Sequence, residues 1–390
     1  MKVLGLIAEY NPFHNGHLCH MERAKRLTKA THTVVVMSGN FTQRGEPALC
    51  DKWLRARMAL EHGADMVIEL PVFFAASSAE YFASAAVKLL HSTGLVSALC
   101  FGSESGDLDA MKAAAKFLSR ESPAFQQELK RLLDKGLSFA AARERAMLST
   151  SPAGCFPEGL LSKANNILGV EYLKALIKLE SHIEPHTITR SGCAPAKAIR
   201  QAVLNGCALE IEKFMPPRAY ALLSQAVIRG ETAALENYGD IFQYKLRTTD
   251  PAKLAEYAEM SEGLGNRFRR MSGGHSSLTG LIGAVKTKRY TRTRLQRAVL
   301  HLILGINTLR GGAEYIRVLG FRKDSATLLR ELEQNASLPV ILNLKHAEKK
   351  LSTEAMSMLN KEIETTDVYM LARAGKRALR YEYTMPLVIV

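Results

Sequence analysis

Cysteine pairing is absent from this sequence. Six cysteines (Cys19, Cys50, Cys100, Cys155, Cys193 and Cys207) are scattered over 390 residues with no CxxC pair. Such spacing in a chain of this length excludes a disulfide framework and a cysteine-based zinc site, and it implies a reducing compartment. Long hydrophobic runs are missing as well. The best membrane-span candidate, residues 71–90, is broken by Glu80 and Lys88. The apolar stretch after Lys2 stops at Glu9, too short for the core of a secretory signal. A cytoplasmic protein without membrane association is expected. There is no internal repeat and no low-complexity segment. Acidic residues are the scarcer charge: 38 Asp and Glu stand against 52 Lys and Arg, a net charge of +14. That surplus favours a polyanionic partner, nucleic acid first, without specifying which.

What is present reads as an ordinary globular composition, 47% hydrophobic, in a chain long enough for two domains. In the first half, apolar runs alternate with helical patterns. Strands are expected at 3–8, 33–37, 65–70, 98–101 and 183–188. Helices are expected at 18–30, 51–62 (Asp51 as N-cap), 79–91, 164–179 and 196–204, with two or three more over 107–148. This alternation predicts a parallel sheet flanked by helices, with ligands beyond the carboxyl ends of the strands. Residues 11–17, 38–46 and 102–104 fall there. After about residue 205 strand-like runs become rare and helical periodicity dominates, apart from a possible added strand at 381–390. The expected division is a catalytic domain at 1–205 and a mainly helical, basic domain at 206–390.

The stretch Tyr10-Asn-Pro-Phe-His-Asn-Gly-His17 lies between the first strand and the first helix. Unpaired N–H groups at a helix start, together with the helix dipole, attract an anion. Gly16 lets the backbone approach phosphate closely. His14 and His17 can add donors or positive charge there, stabilising charge that builds on an α-phosphate and on departing pyrophosphate. Two histidines in an ordinary loop are the plain alternative, and the strand–turn–helix placement weighs against it.

This turn resembles the signature of nucleotidyltransferases with a Rossmann-like HUP fold, which commonly carry Phe-Asp-Pro-x-His-x-Gly-His. Here Tyr10 and Asn11 replace the Phe and Asp. Further blocks follow in order: Met37-Ser-Gly-Asn-Phe-Thr-Gln-Arg-Gly-Glu-Pro47, Asp51-Lys-Trp53, Val67-Ile-Glu-Leu-Pro71, Phe101-Gly-Ser-Glu104 and Asn165-Asn-Ile-Leu-Gly169. Ser261-Glu-Gly-Leu-Gly-Asn-Arg267 and Lys288-Arg-Tyr-Thr-Arg-Thr-Arg294 come later. Together they resemble the bacterial tRNA(Met) cytidine acetate ligase family over nearly the whole chain. The resemblance implies that ATP activates acetate as acetyl-adenylate. The acetyl group then passes to N4 of the wobble cytidine of elongator tRNA(Met), forming N4-acetylcytidine. Mg²⁺ is expected with the ATP, although no dedicated protein metal site is visible.

The same resemblance gives an ATP-binding set. It comprises Ile7, Ala8, Glu9, Tyr10, Asn11, Pro12, Phe13, His14, Asn15, Gly16, His17, Leu18, Cys19 and His20, with Gly102, Asn165, Asn166 and Arg190. His14 and His17 are its catalytic pair. Helix capping is the plain alternative for Asn165 and Asn166, and a solvated surface charge the plain alternative for Arg190. Ser38, Asn40, Gln43, Arg44 and Glu46 are candidates for an acetate or cytidine pocket, with Arg44 able to grip a carboxylate by two hydrogen bonds. Arg267, Lys288, Arg289, Arg292 and Arg294 are candidates for the tRNA backbone, and Tyr290 for stacking on a base. No protein partner is expected. The chain departs from the family at 190–200. Relatives usually have Ser-x-Thr-x-Ile-Arg opening a helix, and Pro195 and Lys197 stand in place of the Ser and Thr, while Ala164 replaces a usual proline. Two other readings remain open: a small-molecule nucleotidyltransferase, and a non-enzymatic RNA-binding protein with an altered nucleotide site.

Overall fold

The computed structural model describes residues 1–190, 196–307, 311–375 and 378–390. Its centre is a sheet of β1 (Val3–Ala8), β2 (His32–Ser38), β3 (Met66–Leu70), β4 (Val96–Ser103), β5 (Glu184–Thr189), β6 (Ile316–Phe321), β7 (Val340–Ile341) and β8 (Val388–Ile389). The strand order is β5-β4-β1-β2-β3-β6-β7, with β8 also on β6. The first five strands are mutually parallel, as the alternating pattern predicts. β1 lies between β2 and β4, where the winding changes direction. In such a sheet a crevice opens beyond the carboxyl ends at that point.

The central strands β1, β2 and β3 are buried almost throughout, covered on both faces, which is why they read as largely apolar runs. On β2, Val34 and Val36 enter one core, while Val35 and Met37 enter the core on the opposite face. Helix α1 (Asn15–Thr28) follows β1 and begins three residues earlier than expected, because His14 acts as its N-cap. Helix α2 (Lys52–Glu61) is capped by Asp51, whose carboxylate accepts from Leu54 N at 2.9 Å. The region 107–148 forms three helices, Leu108–Ser119, Pro123–Asp134 and Phe139–Thr150.

The packing of the second half divides differently from the expected boundary at 205. Helix Pro217–Ile228 places Ala219, Leu222 and Leu223 in the same core as β1 and α2. A separate helical core is built mainly from residues 233–306, joined by Phe41, Val72, Ala76 and Tyr369. The chain then returns to the sheet through β6, antiparallel to β3. Arg317 breaks the apolar run of β6, which hides this strand from a pattern search, yet Arg317 is buried. At the carboxyl end only Val388–Ile389 is a strand; Tyr381–Thr384 is a helical turn.

Arg317 belongs to a buried ionic network that joins distant parts of the chain. Lys52 Nζ lies 2.5 Å from Glu69 Oε1 and 3.7 Å from Glu362, and it also bonds Glu382. Arg317 meets Glu69 at 3.1 Å and Glu382 at 2.5 Å. Burial, with the like charge of Glu69 beside it, pushes the Glu362 carboxyl up to about 8, which favours its protonated form at neutral pH. Burial would also raise Glu382, but Arg317 and Lys52 hold it down to about 2. Two cations therefore face two carboxylates, and the cluster is neutral. Buried charges persist only when paired in this way.

The helical core meets the sheet region at the loop after β2. Gly45 has φ +78°, and a Cβ there would stand 2.3 Å from Arg297 N and 2.5 Å from Gln296 C. Only glycine allows this loop to lie against helix Arg292–Leu304. Arg297 Nη1 donates to Gln43 O across the same contact at 3.4 Å.

Candidate active site

The site is assembled at the end of β1. Tyr10 has φ +46° and the Asn11–Pro12 peptide is cis, so the chain turns sharply into α1. Asn11 is buried. Its Oδ1 accepts from Leu49 N at 2.7 Å and its carbonyl accepts from Arg200 Nη1 at 2.8 Å. The amide thus fastens the turn to the loop after β2. Tyr10 and Phe13 pack edge to face at 4.9 Å, and Phe13 stacks on His62 at 5.1 Å, so the turn has an aromatic floor.

The two histidines form a reciprocal cap. His14 Nδ1 accepts from Gly16 N at 3.0 Å, and His17 Nδ1 accepts from His14 N at 3.2 Å. A neutral imidazole carries one proton, so an accepting Nδ1 places that proton on Nε2. The rings stack with centroids 3.8 Å apart. Burial, helped by the positive fields of Arg190 and Arg200, pushes His14 down to about 4. His17 is held well below the ordinary histidine range by burial, then by His14 and Arg190. Burial, then Arg190 and Arg23, brings His20 to about 4. At neutral pH His14 and His17 are therefore Nε2–H donors and not cations. The positive charge near them comes from Arg190 and Arg200.

Gly102, Asn165, Asn166 and Arg190 meet on the β4–β5 side. A Cβ on Gly102 would stand 3.0 Å from Arg190 Cγ, so this glycine makes room for the arginine. Arg190 N donates to Ser103 O at 2.9 Å, and its Nη1 donates to Asn165 Oδ1 at 3.1 Å. Glu104 organises the corner by accepting from Asn165 Nδ2 at 2.7 Å and from Asn166 N at 2.9 Å. Asn166 is buried, and its Oδ1 accepts from Glu104 N and Ser105 N. It closes the turn after β4, whereas Asn165 and Arg190 keep exposed surface.

On the β2 side, Gln43 N donates to Glu9 Oε1 at 2.7 Å, and Arg44 is exposed above them. Ser38 and Asn40 are buried. Asn40 donates to Thr366 Oγ1 at 3.0 Å and accepts from Lys52 N at 2.9 Å. These two support the loop from below, while Gln43 is half-buried and Arg44 is exposed. Of the departing segment, Pro195 lies outside the described residues. Lys197 is exposed in the first turn of helix Ala196–Leu204. Among the site groups, Arg200 was least visible in the sequence. It bridges Asn11 O and Glu46, the latter at 2.9 Å, and the only signal for it was the Ile199-Arg200 pair ending that segment.

The two imidazoles and Arg190 and Arg200 are donors, which suits phosphate oxygens and not a metal ion. Glu69, Glu362 and Glu382 cluster closely enough for a metal, but Lys52 and Arg317 already occupy them. They do not fit a bound Mg²⁺.

The basic stretch before helix Arg292–Leu304 is partly neutralised within the chain. Arg289 pairs with Glu262 at 3.1 Å, and Arg294 with Glu259 and Glu262. Arg267 Nε donates to Val285 O. Lys288 and Arg292 are exposed. Tyr290 is only 9% exposed; its hydroxyl donates to Glu262 O and its ring lies under Arg294 at 5.1 Å. Stacking on a base, expected from sequence, is excluded in this conformation because the Tyr290 ring is packed inside the chain. No helix among the described residues is long and apolar enough to cross a membrane.

A parallel sheet whose central strand feeds a histidine-capped helix defines a nucleotidyltransferase of the HIGH class. The family model described as HIGH Nucleotidyl Transferase matches residues 1–382. The chain belongs to the tRNA(Met) cytidine acetate ligase family. It is 40% identical over 404 residues to the tRNA(Met) cytidine acetate ligase of Caldanaerobacter subterraneus subsp. tengcongensis, with 100% of each chain covered. It is 37% identical over 422 residues to that of Halothermothrix orenii, covering 100% of this chain and 99% of the relative. The solved structure of Thermotoga maritima TmcAL bound with alpha-thio ATP superposes with a TM-score of 0.95 at 33% identity, covering 100% of this chain and 99% of the other.

Proposed function

We propose that this protein is an ATP-dependent ligase that joins acetate to N4 of the wobble cytidine of elongator tRNA(Met). The reaction has two halves. Acetate attacks the α-phosphate of ATP, forming acetyl-adenylate and releasing pyrophosphate. The cytidine amine then attacks the acyl carbon, giving N4-acetylcytidine and AMP. The observation that carries the reading is the reciprocal histidine cap. It leaves the Nε2–H of both stacked imidazoles free to donate at a helix N-terminus, with Arg190 and Arg200 supplying charge. Preorganised donors of this kind stabilise charge that grows in a transition state at no reorganisation cost. Gly102 and Asn165, both beside Arg190, would hold the nucleoside. Gln43 and Arg44 would meet the acetate. Mg²⁺ would arrive with ATP, bound by phosphate oxygens and water. Lys288, Arg289 and Arg292 would follow the tRNA backbone.

The test is incubation with radiolabelled acetate, ATP and total tRNA. Label recovered in RNA as N4-acetylcytidine is expected. Label confined to a small nucleotide ester would reduce the protein to an acetate-activating enzyme. AMP retained in a small product, with no dependence on RNA, would point to a small-molecule nucleotidyltransferase.

A further inference from the structure

The transfer half-reaction needs a group to take a proton from the attacking amine, and few groups in the cleft can do so. His14 and His17 are unsuited, because their Nδ1 atoms accept from backbone N–H groups and their Nε2 atoms carry the proton. His20, whose buried Nε2 has no hydrogen-bond partner among the described residues, is pushed down to about 4 and is a weaker base than a carboxyl raised above its ordinary range. Glu46 is tied to Arg200 at 2.9 Å. Glu104 is committed through both oxygens to Asn165 and Asn166. Asp51 and Asp107 cap their helices through Leu54 N and Ala110 N.

Glu9 stands apart. It directly follows β1, immediately before the histidine turn. One oxygen, Oε1, accepts from Gln43 N at 2.7 Å, and Arg55 Nη1 donates to its carbonyl at 2.6 Å, so the residue is held at both ends. Its Oε2 takes no hydrogen bond among the described residues, and the residue keeps part of its surface open. We propose that Glu9 is the general base of acetyl transfer, accepting through Oε2 the proton that the cytidine N4 amine loses. This rests on the function proposed above. The N4–C bond forms as the acyl C–O bond of the mixed anhydride breaks. AMP leaves with that electron pair on its phosphate oxygen, and the N4 proton passes to Glu9 and then to water. Burial raises the Glu9 carboxyl above the ordinary range, opposed by Gln43 N, Arg44 and Arg200 and assisted by Glu46. A carboxylate of raised pKa is the stronger base for this task.

The experiment compares Glu9→Gln with the wild-type enzyme in two assays: acetate-dependent ATP–pyrophosphate exchange, and single-turnover acetyl transfer to tRNA. The variant is isosteric and can still accept from Gln43 N. General-base loss typically costs about 10²–10⁴ in rate, so transfer is expected to fall at least about tenfold further than exchange. Equal losses in both assays would make Glu9 an ATP contact and overturn the proposal, as would unchanged transfer. In the wild-type enzyme, transfer should lose rate on the acid side with a midpoint above the ordinary glutamate value. A profile without an acid limb also overturns the proposal, whether or not Glu9→Gln folds. Wild-type protein that shows no acetate-dependent exchange would instead refute the underlying function.

Discussion

Replacing Gly45 with alanine tests the contact through which the helical unit holds the catalytic loop. The residue has φ +78°, where an L side chain costs about 1–2 kcal/mol. The new methyl would also stand 2.3 Å from Arg297 N, 2.5 Å from Gln296 C and 2.9 Å from Arg297 Cα. These are helix backbone atoms and cannot rotate away, so overpacking adds about 1–3 kcal/mol. The sum is about 2–5 kcal/mol if the loop stays in place. Gly136 provides the control: it has φ +81° with nothing within 4 Å of a built Cβ, so Gly136→Ala carries the backbone strain alone. Urea unfolding of both variants, fitted with unchanged m, separates the two contributions. Equal destabilisation of the two variants with acetyl transfer unchanged in Gly45→Ala would refute the close packing of loop and helix. Should Gly45→Ala instead relieve the clash by moving the loop, Gln43 moves with it and acetyl transfer falls while stability is largely kept.

Other outcomes follow from the site. His17→Ala should lower kcat/KM for acetate-dependent ATP–pyrophosphate exchange by about 10²–10³, as loss of one oxyanion donor does; a change below threefold would remove His17 from the chemistry. Nitrogen NMR of labelled protein should show His14 neutral with its proton on Nε2 down to about pH 4, and a midpoint near the ordinary histidine value would contradict the cap. The same depressed value makes stability depend on pH. An unfolded chain binds the His14 proton below about pH 6.5 while the native protein does not, so stability is full above that pH and declines as pH falls towards 4. The slope is up to about 1.4 kcal/mol per pH unit, measurable as its loss in His14→Asn. Finally, Arg292→Glu should weaken tRNA binding and lower the salt slope by about 1; an unchanged slope would place Arg292 outside the interface.

The parallel strands and the histidine turn were legible because their signals are local. Val3–Ala8 and Val34–Val36 are apolar on both faces, and His14 and His17 lie three residues apart at a helix start. The supports of the site were harder to see because they depend on distant partners. Arg200 reaches Asn11 across 189 positions, and Gln43 meets Arg297 across 254. Ser38 and Asn40 read as pocket residues from their polarity, yet Asn40 spends its amide on Thr366 and Lys52. β6 was missed because Arg317 interrupts it, and charge normally signals solvent. Tyr290 looked available amid basic residues, but its hydroxyl and ring are taken up within the chain.

The ionic network around Lys52 bears on how the molecule is made. Ribosomes add residues at about 5–20 per second, and domains tend to fold as they emerge. Lys52 and Glu69 leave the ribosome early, whereas Arg317 and Glu382 come from the last fifth of the chain. Until β6 arrives, β3 is an open sheet edge and the two cations do not yet face two carboxylates. A nascent chain can thus contain the entire histidine turn and still lack the groups that neutralise the ground beneath its substrate loop. The finished active site is a property of the completed polypeptide, and a fragment ending before Glu382 should be a target for proteolysis before it is a catalyst.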